Sequence, residues 1–276
     1  MNPRKNTMAI AARFSAAAGK YDEKAGVQQA VAEVLDRMFP TLPLPERSAE
    51  TGIPPAARIL EIGCGTGLLT ALIRRRYPGL WIDAVDVSAR MISHARTRLG
   101  FDKRIRWRVA DLHHVPSKPR YPLIVSSSSL HWVCPLEEGL TKLALLLESR
   151  GRLVFSLMIR GTFGELRVSR LRVAPHKPPM GNLPTLRQVR QGLQHAGLNV
   201  VDERKEIRRV EYASAESFLR QIHEQGLTGG LVSSAGIPLN RSELKELARD
   251  YQAHWKSGEG VKASYHVAYF KAIRER

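Results

Sequence analysis

The sequence predicts a doubly wound, mostly parallel α/β fold, and three observations predict it. Short β-rich runs recur at Arg58–Ile62, Trp81–Val87, Ile105–Val109, Leu123–Ser126 and Arg152–Leu157. Helical patterns fill the gaps, notably Gly67–Tyr77 and Ala89–Leu99, and strict alternation of strand and helix implies a parallel sheet covered on both faces. A glycine-rich turn, Gly63 to Gly67, joins the first of these strands to the first of these helices; such a turn brings backbone N–H groups close to a ligand.

Upstream of the sheet, Val27, Ala30, Val31, Val34, Leu35 and Met38 fall at the i, i+3, i+4, i+7 spacing of a helix with one buried face over 26–39. A proline-rich connector, Pro40 to Pro55, then breaks regular structure. Beyond Leu157 the pattern loosens, and Pro175, Pro178 and Pro179 rule out a long helix before Thr185. Thr185 is a good N-cap for Leu186–His195, which Gly197 stops, and a short extended run, Leu198–Asp202, follows. Ser214 caps Ala215–Gln225, Asn240 with Glu243 has capping-box spacing ahead of Leu244–Trp255, and Val261–Ile273 reads as a terminal strand. The expected organisation is an N-terminal helical segment and linker (1–54), a ligand-binding core (55–157) and a substrate-facing C-terminal part of the same domain (158–276), with no internal repeat.

The chain has 276 residues, 43% of them hydrophobic, enough to bury a full core, so overall disorder is excluded. No run of about 18 apolar residues exists and the N-terminus has no signal-peptide pattern, so a cytoplasmic protein without membrane association is expected. Cys64 and Cys134 are too few for a disulfide framework or a zinc site; reduced thiols and no metal are expected. The net charge of +17 points to an acidic partner, and nucleic acid, anionic membrane and acidic protein all qualify on sign alone. Basic residues crowd from Arg150 to Lys177 and again at Arg204, Lys205, Arg208 and Arg209. With aromatics at 7% and no RRM, KH or OB-type signature, nucleic acid is the weaker candidate.

The chemistry centres on Glu61, Ile62, Gly63, Cys64, Gly65, Thr66 and Gly67, directly after a strand and before a helix. The dinucleotide fingerprint needs a glycine where Leu68 stands, so NAD enzymes are disfavoured, whereas G-x-G-x-G with a preceding acid has methyltransferase spacing. Asp86 ends the next strand, where a carboxylate accepts bonds from both ribose hydroxyls, and Asp111 ends the third, where a side chain and backbone N–H can read an adenine edge. This three-strand pattern, over residues 55–157, resembles the class I S-adenosylmethionine methyltransferases. The resemblance implies seven strands with the last antiparallel. It also implies S-adenosyl-L-methionine as cofactor and S-adenosyl-L-homocysteine as product. In that family Gly63 and Gly65 lie near the methionine moiety, Asp86 on the ribose and Asp111 near the adenine. Glu61, Val87, Leu112, Ser126 and Gln28 complete the expected cofactor set.

Four further segments resemble the malonyl-acyl-carrier-protein O-methyltransferases of biotin synthesis. They are Ala12, Arg13 and Phe14 with Ala18 to Tyr21 and Gln28; Ser126 through Leu130, His131 and Trp132; Gly161 through Glu165 and Leu166; and Ser217 through Thr228 with Tyr265 and His266. The chain departs from that pattern at Pro122 and Ser127, expected beside the methyl donor, and at the turn Glu148 to Gly151. The resemblance implies methylation of the free carboxylate of a malonyl thioester on an acidic carrier protein. A carboxylate is already ionised at pH 7, so no general base is needed, only alignment and an orienting donor or cation. Tyr21 and His131 are the candidate catalytic residues; Trp132, Arg160, Arg167 and Arg170 are candidates for substrate or carrier. A free small carboxylic acid, RNA, or a non-catalytic role are the competing readings.

Overall fold

The computed structural model describes residues 3–42, 57–179, 183–227 and 237–275. Helices α1 (Pro3–Ala17), α2 (Tyr21–Lys24) and α3 (Gly26–Arg37) lead into the sheet. The core then alternates as β1 (Arg58–Ile62), α4 (Leu68–Arg76), β2 (Trp81–Asp86), α5 (Ala89–Leu99), β3 (Ile105–Val109), β4 (Tyr121–Ser126), α6 (Leu136–Leu146) and β5 (Leu147–Met158). Next come α7 (Gly164–Val173), α8 (Leu186–His195), β6 (Leu198–Tyr212), α9 (Ala215–Glu224), α10 (Arg241–His254), β7 (Lys256–Ser257) and β8 (Gly260–Arg274).

The strand order is β3-β2-β1-β4-β5-β8-β6, with β1 to β5 parallel to their neighbours and β8 antiparallel to both β5 and β6. The two-residue β7 pairs with β8 off this path, so the sheet has eight strands rather than seven. Strand order reverses between β1 and β4, and at such a switch point the carboxyl ends of the strands open into a crevice. Successive residues of β1 feed opposite cores, as period-two geometry requires. Ile59 joins Val31, Leu35, Ile82, Leu123 and Phe218 on one face, and Leu60 joins Val85, Ile124, Leu140, Val189 and Phe270 on the other.

Helix starts follow the expected caps. Thr185 Oγ1 accepts from Gln188 N–H at 3.2 Å and Asn240 Oδ1 from Glu243 N–H at 2.9 Å, each cap contributing about 1 kcal/mol. Three elements differ from the sequence reading. β6 runs on to Tyr212 because β8 pairs it over its whole length, although its charged second half has no apolar alternation. α7 forms ahead of the prolines, burying Leu166 and Ser169 while Arg167 stays exposed. α1 has no apolar stripe, with Met8 74% exposed, and owes its place to what it covers. Among the described residues no helix is long and apolar enough to cross a membrane, and no group of three or more His, Cys, Asp or Glu is placed to hold a metal ion.

Candidate active site

At the switch point the chain leaves β1 through Gly63 (φ +69°), whose N–H donates to Val85 O at 2.8 Å, as does that of Cys64 at 3.0 Å. A Cβ on Gly63 would lie 1.9 Å from Ser129 Oγ, so glycine here serves close approach as well as a positive φ. Asp86, at the end of β2, braces this turn. Its Oδ2 accepts from Gly65 N–H at 2.9 Å and its Oδ1 from Ser88 N–H at 2.8 Å. Burial raises its pKa, and the Ser88 and Gly65 N–H groups oppose the rise. Each carboxylate oxygen keeps a second lone pair for a ligand.

Helix α1 roofs this cleft. Thr7 Oγ1 donates to Asp111 Oδ2 at 3.1 Å, while Asp111 Oδ1 accepts from His113 N–H at 2.8 Å. Ser15 and Ser88 share a hydroxyl bond of 2.8 Å, joining α1 to the cap of α5. At the far end Asp22 accepts from Thr66 Oγ1 at 2.5 Å and pairs with Arg98, whose Nε donates to Thr66 O at 2.9 Å. The roof is thus latched directly to the glycine-rich turn.

Two connected cavities result. The outer cleft is lined by Gly63, Gly65, Asp86, Val87, Asp111 and Leu112 from the strand ends, by Thr7, Ile10 and Phe14 from α1, and by Met91, Val133 and Cys134. An inner chamber is lined by Gln28, His131, Met158, Thr162, Leu227 and Tyr265. Phe14, Tyr21, Ser128 and Trp132 belong to both linings and form the wall between them. The wall is an aromatic cluster in which Phe14 meets Trp132 edge-on at 5.4 Å and Tyr21 at 6.4 Å.

His131 Nδ1 accepts from Met158 N–H at 3.3 Å, which leaves the proton on Nε2. Burial depresses its pKa to about 3, so the ring is neutral at pH 7. Burial, then Asp86 and Asp22, raise the Tyr21 pKa well above its ordinary value, so Tyr21 stays a phenol.

The structure therefore brings Gly63, Gly65, Asp86, Val87, Asp111, Leu112, Tyr21 and Trp132 to one cleft, and Gln28 and His131 to the chamber behind it. Glu61 and Ser126 belong to neither lining. Glu61 is buried beneath the turn with Thr70 Oγ1 donating to its Oε2 at 2.7 Å, and burial pushes its pKa up to about 8. Ser126 is fully buried as the last residue of β4, and Ser127, Ser128 and Ser129 take the exposed edge instead. Pro122 is the second residue of β4, off both linings, so only Ser127 of the two departures faces the cleft.

Arg160, Arg167 and Arg170 line neither cavity. Arg167 Nη1 donates to Pro179 O at 2.9 Å, and Arg170 donates to Lys177 O at 3.0 Å and Ile237 O at 2.8 Å, so these guanidinium groups staple loops. Thr7, Ile10, Met91, Val133 and Cys134 were not foreseen, because no periodicity or motif marks residues that meet only when α1 folds over the strand ends.

The lining fits S-adenosyl-L-methionine. Gly65 has open space where a Cβ would stand, Asp86 and Asp111 offer carboxylates at adjacent strand ends, and Met91, Ala110, Leu112 and Val133 offer an apolar slot for a purine. Fold and cleft define a class I methyltransferase, which uses that cofactor, and a family profile described as "Methyltransferase domain" matches residues 60–153. The YcgJ protein of Bacillus subtilis shares the fold, with a TM-score of 0.59 at 13% identity, covering 90% of this chain and 99% of that one. A malonyl-[acyl-carrier protein] O-methyltransferase of Geobacter sulfurreducens is 32% identical over 93% of this chain and 94% of its own length. The biotin biosynthesis bifunctional protein BioCD of Bordetella avium is 32% identical over 98% of this chain and 53% of its own. The chain belongs to the malonyl-[acyl-carrier protein] O-methyltransferase family.

Proposed function

We propose that this protein transfers the methyl group of S-adenosyl-L-methionine to the free carboxylate of a malonyl thioester carried on acyl carrier protein, giving the methyl ester used in biotin synthesis. The observation that carries this reading is the pair of connected cavities, a cleft with acids at the strand ends and a secluded chamber behind the Tyr21–Trp132 wall. Bound in the cleft, the cofactor supplies an electrophilic methyl on a sulfonium and leaves as neutral S-adenosyl-L-homocysteine. Asp86 holds the ribose and Asp111 with Leu112 the adenine end, while Gly63 and Gly65 admit the methionine part.

The chain's own contribution is alignment and exclusion of water. The nucleophile arrives ionised, so no residue has to remove a proton. Neutral His131 and the Tyr21 phenol are donors that orient the acyl group without cancelling its charge. The aromatic wall keeps bulk water from both reactants, and holding them in contact supplies most of the rate, since effective molarity contributes several kcal/mol. No metal takes part in this scheme.

The carrier, an acidic protein, docks on basic surface. With Arg167 and Arg170 engaged on loop carbonyls, exposed Arg204, Lys205 and Arg209 on the edge strand β6 are the better docking residues. Residues 158–276 act as the substrate-facing part of one cytoplasmic domain. Malonyl carrier protein incubated with enzyme and methyl donor should gain the mass of one methyl group. An unchanged carrier, with RNA methylated instead, overturns the proposal.

A further inference from the structure

We propose that the inner chamber is an uncharged acyl subsite, built by Gln28, Ser128 and His131 to admit a carboxylate whose far end is neutral and to reject a dicarboxylate dianion. This rests on the methyl-transfer reading above and assigns the substrate class that the chamber selects.

Two polar groups in the chamber wall lack partners. Gln28 is 8% exposed, and its Oε1 has no hydrogen-bond partner among the described residues; the same holds for Ser128 Oγ. A buried polar atom left unpaired is costly, and a native fold keeps one where a ligand completes it. Ser128 also adopts φ +50°, a strained conformation for a residue with a side chain, and is held there by its N–H donating to Ser156 O at 3.0 Å and Oγ at 3.1 Å. The strain keeps its hydroxyl on the wall shared by cleft and chamber. Thr162, by contrast, is already satisfied, donating to Ile159 O and accepting from His266 N–H.

The charges around the chamber give the selectivity. Among the described residues neither lining contains Lys or Arg, and His131 is neutral. The sequence that follows Leu227, residues 228–236, has no charged residue. The fixed charges nearby are those of Asp86 and Asp111, both negative. One substrate carboxylate is balanced by the sulfonium of the methyl donor. A second would be buried beside two acids with no cation to meet it, at a cost that exceeds any neutral hydrogen bond. A thioester in that place costs nothing in charge, and the amide of Gln28 and hydroxyl of Ser128 can each donate to its carbonyl or to the spare lone pairs of the carboxylate.

The test compares three acceptors at pH 7.5 with the methyl donor saturating: malonyl carrier protein, monomethyl malonate and malonate. The last two share a skeleton and differ in one charge. Monomethyl malonate should be turned over at least about 100-fold faster than malonate, and malonate should gain activity as pH falls and its second carboxyl protonates. Gln28→Leu and Ser128→Gly should each lower kcat/KM for carrier and monomethyl malonate by about tenfold, with donor affinity by calorimetry within about twofold of the parent. Glycine suits the backbone at position 128, so the second variant keeps the fold if the first does not. Equal rates for malonate and monomethyl malonate, no turnover of either while the carrier is methylated, or unchanged kinetics in both variants would overturn the inference. A carrier left unmethylated would instead overturn the functional reading beneath it.

Discussion

The outer cleft and the inner chamber share a wall but are made in different ways. The cleft's essential groups come from the ends of three adjacent strands, within 111 − 61 = 50 residues from Glu61 to Asp111, and the acids among them brace the turns they follow. The chamber is assembled from Gln28, Ser128, Met158 and Tyr265, which approach each other only in the finished fold. The cleft is acidic and tied to backbone N–H groups; the chamber is neutral and keeps unpaired polar atoms. A cofactor common to a whole fold class can be held by strand-end geometry, whereas the acceptor is chosen by side chains from the variable parts of the chain.

The largest effect expected from this contrast is at Asp86. Replacing it with alanine removes a ribose contact and strips the acceptor from Gly65 and Ser88 N–H, and should weaken donor binding by about 2–3 kcal/mol in calorimetric titration. Binding within a few-fold of the parent in a folded variant would mean the ribose is held elsewhere.

Glu61 tests whether the acid beneath the turn is structural. Its pKa is raised from 4.5 to about 8, so the folded state holds a proton that the unfolded chain releases. The stability this confers is fully present below pH 4.5 and is lost as pH rises through about 8. Glu61→Gln should flatten the thermal midpoint across that window while keeping the Thr70 bond. A parent protein equally stable at both ends contradicts it.

On the chamber side, Tyr21→Phe and His131→Ala should each reduce turnover by about tenfold, or about 1.4 kcal/mol, while changing donor affinity far less. Equal losses in donor binding would move both residues to the cleft's account. Asp22→Asn tests the latch. Its ion pair with Arg98 is partly exposed, so donor affinity should fall by only about 1 kcal/mol, with faster donor release in stopped-flow traces.

The smallest effect concerns the surface. Lys205→Glu with Arg209→Glu should raise KM for carrier protein a few-fold, fading with added salt and sparing monomethyl malonate. Arg167→Glu with Arg170→Glu should lower thermal stability instead, because those side chains hold Pro179, Lys177 and Ile237 carbonyls. A salt-dependent KM effect in the second pair and none in the first would return docking to α7.

The sequence by itself determined the sheet core, the cofactor turn and several helix boundaries. Ala89–Leu99 and Leu186–His195 coincide with α5 and α8 because caps, glycine stops and apolar spacing are local forces acting within a few residues. Asp86 and Asp111 were legible because a strand end followed by a turn leaves few places for an acid to point. The tertiary structure alone decided the rest. β6 extends through charged residues because β8 supplies its hydrogen bonds, and α1 settles over the cleft because Thr7, Ser15 and Phe14 find partners there. Arg167 and Arg170 became loop staples because Pro179, Lys177 and Ile237 present carbonyls to them. Contacts between residues a hundred positions apart leave no period in the sequence, and it is such contacts that close the chamber around Gln28 and Ser128.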